Sequence, residues 1–114
     1  MGEAVSPKGE DLRREIARVA TRVLADEMGL HEACREIARL RTGLADPEID
    51  DPDLLIFVAV DSELDDVPLG GARERWAPEA LAEKDAQAAD YLARVRDRLL
   101  RACQSLSVRW GAST

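Results

Sequence analysis

One stretch of this chain, residues 54–60 (LLIFVAV), is apolar at every position, and no second stretch resembles it. A lone strand candidate cannot build a sheet. Read as a helix, the same run continues through Phe57, Val60 or Asp61, Leu64 and Val67 at the spacing of a helical face. The chain is therefore expected to be all-α.

The remaining pattern agrees. Leu12, Ile16, Val19, Val23 and Leu24 recur at helical spacing between about residues 10 and 28, predicting an amphipathic helix. Gly29 interrupts it, and Leu30, Cys34, Ile37 and Leu40 predict a second helix that stops at Gly43 in a left-handed conformation. The two are expected to be joined tightly or to form one kinked helix. The pentapeptide Arg-Glu-Ile-Ala-Arg occurs at 14–18 and 35–39, but a repeat architecture needs further units, so it reads as a recurrence of good helix formers. Residues 46–53, DPEIDDPD, form a linker in which Asp51 and Pro52 are the N-cap and first residue of the third helix. That helix is apolar nearly all round in its first half and is expected to be central, covered by the others.

Pro78 opens a long final helix carrying Leu81, Ala88, Leu92, Val95, Leu99, Cys103 and Leu106, ending near Ser107. At 1.5 Å per residue it spans roughly 45 Å and outruns its partners, so it bends, frays or extends into a dimer contact. The expected fold is a four-helix bundle-like single domain over residues 1–114 with a long C-terminal helix, and with residues 1–9 and 108–114 as loose tails.

Composition sets limits on function. Hydrophobic residues make up 46% and charged residues 34% of the chain, a globular profile. The apolar run is far short of the roughly 20 residues that span a bilayer, and the N-terminus has no apolar signal region. A cytoplasmic protein with no membrane contact is expected. Cys34 and Cys103 lack the spacing of a zinc or redox motif and read as free thiols packed as small hydrophobes.

The net charge of −7 is unevenly distributed. Residues 1–45 hold eight cations and eight carboxylates, residues 69–114 hold eight and six, and residues 46–68 hold none and nine. A chain of this charge is a poor ligand for DNA or RNA, and its acidic segment calls for a basic protein partner.

The densest acids, Asp61, Glu63, Asp65 and Asp66, precede a turn and the sequence RERW. Positions 61, 63 and 65 fit the start of a calcium loop, but Asp66 stands where glycine is required and Ala72 where the closing glutamate is required. His31, the single histidine, excludes histidine-rich zinc and di-iron sites. No Gly-x-Ser-x-Gly elbow exists for serine catalysis. No catalytic residue, metal ligand set or cofactor site is expected. The segment Val67-Pro68-Leu69-Gly70 suits a type I turn. Arg73 and Arg75 are placed to reach back to Glu63, Asp65 or Asp66, and Trp76 to cover the seam where the last helix begins.

The pattern Ser62-Glu63-Leu64-Asp65, Pro68, Gly70, Arg73, with Phe57 before it and Trp76, Leu81, Asp85 and Ala102-Cys103 after it, resembles a family of small uncharacterised bacterial helical proteins. Those carry S-E-T-D-x-x-P-x-G-x-x-R ahead of a long helix ending in Ala-Cys, and Leu64 stands here for the usual threonine. The resemblance implies a shared helical core and no known activity. Asp65-Asp66-Val67-Pro68-Leu69-Gly70 also gives a class analogy to acidic bacteriocin immunity proteins, although the tyrosine pair of that class is missing. Glu63 and Asp66 match one half of the magnesium motif of all-α nucleotide pyrophosphohydrolases; the other half would need an ExxE helix, and Glu32 and Glu36 stand at ExxxE.

The reading that follows is a small acidic bacterial protein-interaction module, immunity- or antitoxin-like. It would dock a basic partner through segment 46–68, with Asp61, Glu63, Asp65, Asp66, Leu69, Arg73 and Trp76 as binding residues. A metal-dependent nucleotide or phosphate hydrolase using Glu63 and Asp66 is one alternative. A homo-oligomeric structural protein, dimeric through the long helix, is another.

Overall fold

A computed structural model of the chain describes residues 7–111. The outer parts of the two expected tails, 1–6 and 112–114, lie outside the described residues. The described fold consists of four α-helices, α1 (Pro7–Leu24), α2 (Leu30–Arg41), α3 (Pro52–Glu63) and α4 (Pro78–Trp110), with 3₁₀ turns at Glu48–Asp50 and Gly70–Arg75. No strand occurs among the described residues. The apolar run at 54–60 is helical, as its isolation required.

Each helix packs mainly on two neighbours, in the cyclic order α1, α2, α3, α4, which is the arrangement of a four-helix bundle. Ile16, Ile37, Leu54, Phe57, Leu99 and Leu106 are fully buried at its centre. Ile16 and Ile37 are the isoleucines of the repeated pentapeptide, so both copies turn their central residue inward. No buried polar or charged residue interrupts this core among the described residues.

The ends of the helices show where sequence patterns mislead. α1 stops four residues earlier than its apolar spacing extends. Asp26 takes a left-handed conformation, φ 63°, while the Glu27 N–H donates to Arg22 O at 2.8 Å and the Asp26 N–H to Val23 O at 3.0 Å. This is the Schellman closure usually built on glycine, so the glycine three residues later gave a false boundary. Gly43 is not left-handed. α2 ends on Thr42 in right-handed geometry, and Gly43 instead admits Leu12, whose Cδ1 would lie 2.7 Å from an added Cβ.

α3 begins as its sequence dictates, with the Asp53 N–H donating to Asp51 Oδ1 at 2.9 Å and Pro52 in the first turn. It is not a covered central helix. Four helices in a square leave each one an outward face, and on α3 that face stays apolar: Leu55 is 40% exposed and Ala59 is exposed beside it. After α3 the chain does not make a type I turn. Leu69 is extended, φ −124° and ψ 156°, and Gly70 reverses the direction with φ 58°, a conformation open to glycine.

α4 runs 33 residues, about 50 Å at its ordinary rise, and sets the long axis of a molecule measuring 57 × 26 × 22 Å. The expected loose tail after residue 107 is helical through Trp110. Two contacts hold it: Trp110 packs against the core, and Arg109 grips the start of α3. No helix among the described residues is long and apolar enough to cross a membrane.

Candidate functional site

The nine carboxylates of residues 46–68 collect cations from every other helix. Arg13 of α1 donates to Glu48 at 2.8 Å, and from α2 Arg35 donates to Asp61 at 2.9 Å and Arg41 to Asp50 at 3.3 Å. From α4, Lys84 pairs with Asp66, and Arg109 forks onto Asp51 at 2.8 and 2.9 Å while also reaching Asp53 at 2.9 Å. Six of the nine are thereby paired, leaving Asp46, Glu63 and Asp65 without an ion pair among the described residues. Each exposed pair contributes about 0–1 kcal/mol. Their larger effect is positional, since each fixes one point of the acidic segment against a particular helix.

Arg73 does not reach back to Glu63, Asp65 or Asp66. The 3₁₀ turn at Gly70–Arg75 points it at α4, where its guanidinium donates to both oxygens of Asp85 at 3.0 and 2.7 Å and to the Pro68 carbonyl at 3.3 Å. A planar fork on a carboxylate is the strong form of such a contact, and here one side chain ties the turn to the helix after it. Arg75 makes no ion pair among the described residues. The Arg73 hydrogen bonds hold the Asp85 carboxyl below the usual carboxylate range, and the Lys84 hydrogen bond does the same for Asp66.

Trp76, expected to cover the seam where α4 begins, is 37% exposed and leaves over a third of its surface in solvent. Trp110 is the tryptophan packed on the core, with the Arg109 guanidinium 5.2 Å from its ring centroid. The binding residues expected from sequence thus divide between separate places. Glu63 and Asp66 share a groove of about 320 Å³ with Gln87, Tyr91 and Arg94 of α4. Leu69 lies on a second groove of about 350 Å³ between α1 and α2, floored by Val19 and Met28 and edged by Arg22 and Glu32. Asp61 is half-buried in its pair with Arg35.

Glu63 and Asp66 could approach a magnesium ion only as two carboxylates, one already held by a lysine. Among the described residues no group of three or more His, Cys, Asp or Glu side chains is placed to hold a metal ion. The hydrolase alternative therefore gains no ligand set from the fold.

Sequence reasoning missed the partners rather than the acids. Arg35, Arg41, Lys84 and Arg109 lie 9 to 58 residues away from the carboxylates they bind, and nothing local marks them. His31 sits partly buried at the start of α2, its Nε2 buried without a hydrogen-bond partner among the described residues. Burial first, and Arg35 second, hold its pKa below the ordinary value, against the opposing influence of Asp61, Asp85 and Glu32. Cys34 and Cys103 are both fully buried and free. Burial pushes the Cys34 thiol up to about 12, with Cys103 adding, and the Cys103 thiol up to about 11. Such thiols are poor nucleophiles, because the thiolate is the reactive form.

Comparison of the chain with protein-family models, with curated proteins and with solved structures finds no match.

Proposed function

We propose that the protein is an interaction module that binds a basic protein partner, and that its contact surface is the segment from Glu63 to Trp76 rather than the whole of residues 46–68. The observation that carries this reading is a turn fixed from within that keeps its own binding groups outward. Arg73 and Asp66 tie the segment to α4, while Glu63 and Asp65 have no ion pair among the described residues and Trp76 is 37% exposed. A surface held in its bound shape loses less conformational freedom on association. Aromatic side chains are the usual anchors of such contacts, with unpaired charges speeding encounter and selecting partners.

The pairing of six acids narrows the surface but supports its use, since unpaired carboxylates can meet a cation without first breaking an internal tie. The motif from Ser62 to Arg73 fits the same proposal. Its Gly70 and Arg73 make the turn.

Affinity capture with the tagged chain tests the reading. Glu63→Lys/Asp65→Lys and Trp76→Ala should each abolish capture of a basic protein retained by the unaltered chain, with helix content unchanged by circular dichroism. Equal capture by both variants would refute it.

A further inference from the structure

The groove between α1 and α2 has an apolar floor and a charged rim. Val19 is buried beneath it, Met28 and Leu69 are half-buried on it, and five charged side chains stand around them: Glu15 and Arg22 from α1, and Glu32, Arg35 and Glu36 from α2. Three of these are already committed. Glu15 accepts from Arg18 and Glu36 from Arg39, while Arg35 donates to Asp61. Arg22 and Glu32 remain, both exposed and without an ion pair among the described residues.

The register of the two helices sets these two residues opposite each other. Leu12 of α1 lies over Gly43 at the end of α2, and the helices run antiparallel from there, since Val19 and Arg22 share the groove with Glu36 and Glu32. Arg22 is ten residues on from Leu12 and Glu32 eleven back from Gly43, so they stand at one level on facing helices. Opposite charges in such positions ordinarily close into a surface pair. Here the width of a groove of about 350 Å³ holds them apart, and that volume is at the small end of the range of ligand pockets.

A ligand that bridges a guanidinium and a carboxylate across an apolar floor must carry an anion, a cation and an apolar group close together. We propose that the groove binds a free α-amino acid with an apolar side chain. Arg22 takes its carboxylate, the group that a guanidinium fork fits, Glu32 takes its ammonium, and its side chain lies on Val19, Met28 and Leu69. A free amino acid holds both charges on one carbon, whereas a peptide end offers only one of them, so the ligand class follows from the two residues jointly. Met28 is unbranched and adapts to side chains of different shape, which suits leucine and methionine alike. This inference goes beyond the partner reading above, which rests on Glu63, Asp65 and Trp76 and uses neither Arg22 nor Glu32.

Titration of the unaltered chain with L-leucine, followed by backbone amide NMR shifts, tests it. The shifts should saturate at millimolar leucine and centre on Val19, Arg22, Glu32 and Leu69. N-acetyl-leucine lacks the ammonium, leucine amide the carboxylate and glycine the side chain, so each should bind about tenfold more weakly than leucine or not at all. Arg22→Gln and Glu32→Gln should each weaken leucine binding by about tenfold, with helix content unchanged by circular dichroism. Trp76→Ala and Glu63→Lys/Asp65→Lys should bind leucine as the unaltered chain does, which keeps a failure here distinct from a failure of the partner reading. Shifts that do not saturate at millimolar leucine would overturn the proposal. So would equal binding of any of the three analogues, or undiminished binding by Arg22→Gln and Glu32→Gln.

Discussion

Replacing Arg109 with alanine should destabilise the whole bundle, although the residue lies one position before the end of α4. Its guanidinium makes two hydrogen bonds to Asp51 at 2.8 and 2.9 Å and one to Asp53 at 2.9 Å. The Asp51 side chain is only 14% exposed, while that of Arg109 is 39% exposed. Solvent screening of the arginine limits the pair to the upper part of the surface range, about 1 kcal/mol. The fork geometry and the nearly buried carboxylate left behind raise this, and the lost stacking on Trp110 adds about 0.5 kcal/mol. A total near 1.5–2 kcal/mol corresponds to a fall in Tm of roughly 5–8 °C for a domain of this size.

Thermal melts followed by circular dichroism at neutral pH measure it, with Arg109→Lys expected between the two, because an ammonium cannot make the fork. The effect should also have a pH signature. The Arg109 hydrogen bond holds the Asp51 carboxyl below its ordinary value, so its contribution is complete above the unfolded pKa of about 3.9 and is lost as pH falls through the lower folded value. The gap between the unaltered chain and Arg109→Ala should therefore close in acid. A variant melting within about a degree of the unaltered chain at neutral pH, where the estimated change is several degrees, would refute the tie and return residues 108–110 to the status of a tail.

Three further outcomes are expected. Asp26→Gly should raise Tm by a few degrees, because a left-handed residue with a Cβ costs roughly 1 kcal/mol that glycine avoids in part; no rise in a thermal melt would mean that the Schellman closure is unstrained. Phe57→Ala should cost about 3–5 kcal/mol, the ordinary range for emptying a fully buried aromatic site, and urea titration would show it as a lower midpoint. Cys34 and Cys103 should resist a disulfide thiol reagent in the folded chain and react on addition of urea. Their raised pKa values also make the fold less stable in alkali: the contribution is complete below the unfolded value near 9 and is lost as pH rises toward 11 to 12. Melting temperatures that stay flat across that window would contradict the burial of both thiols.

The architecture was legible because helical periodicity and an isolated apolar run are local facts, each contained within a few turns of chain. The N-cap of α3 was legible for the same reason: Asp51, Pro52 and Asp53 are adjacent. What escaped depended on tertiary structure. Asp26 assumed a conformation that its composition does not announce, and Gly43 was required for the approach of Leu12 rather than for its own dihedral angles. Arg73 was correctly seen as a clamp, but its carboxylate was sought behind it, among the dense acids, instead of ahead at Asp85. The choice depended on the turn at Gly70, whose direction no local pattern encodes. The apolar girth of α3 read as a sign of full burial, when a bundle of four can cover only the inner part of each helix.

The arginine ties have a consequence for the choice among folds. Four helices connected in sequence can wind around one core in either of two hands, and both windings keep the same neighbours and bury the same apolar stripes. Hydrophobic patterning alone barely separates them. Arg13, Arg35, Arg41 and Arg109 stand beside the stripes rather than within them, each on the flank that meets its acid. In the opposite winding those flanks would turn away, leaving Glu48, Asp50, Asp51, Asp53 and Asp61 crowded on one segment with their arginines out of reach. A set of contacts individually too weak to hold the bundle together thus acts together against its mirror topology, as charge patterning does against unwanted pairings elsewhere.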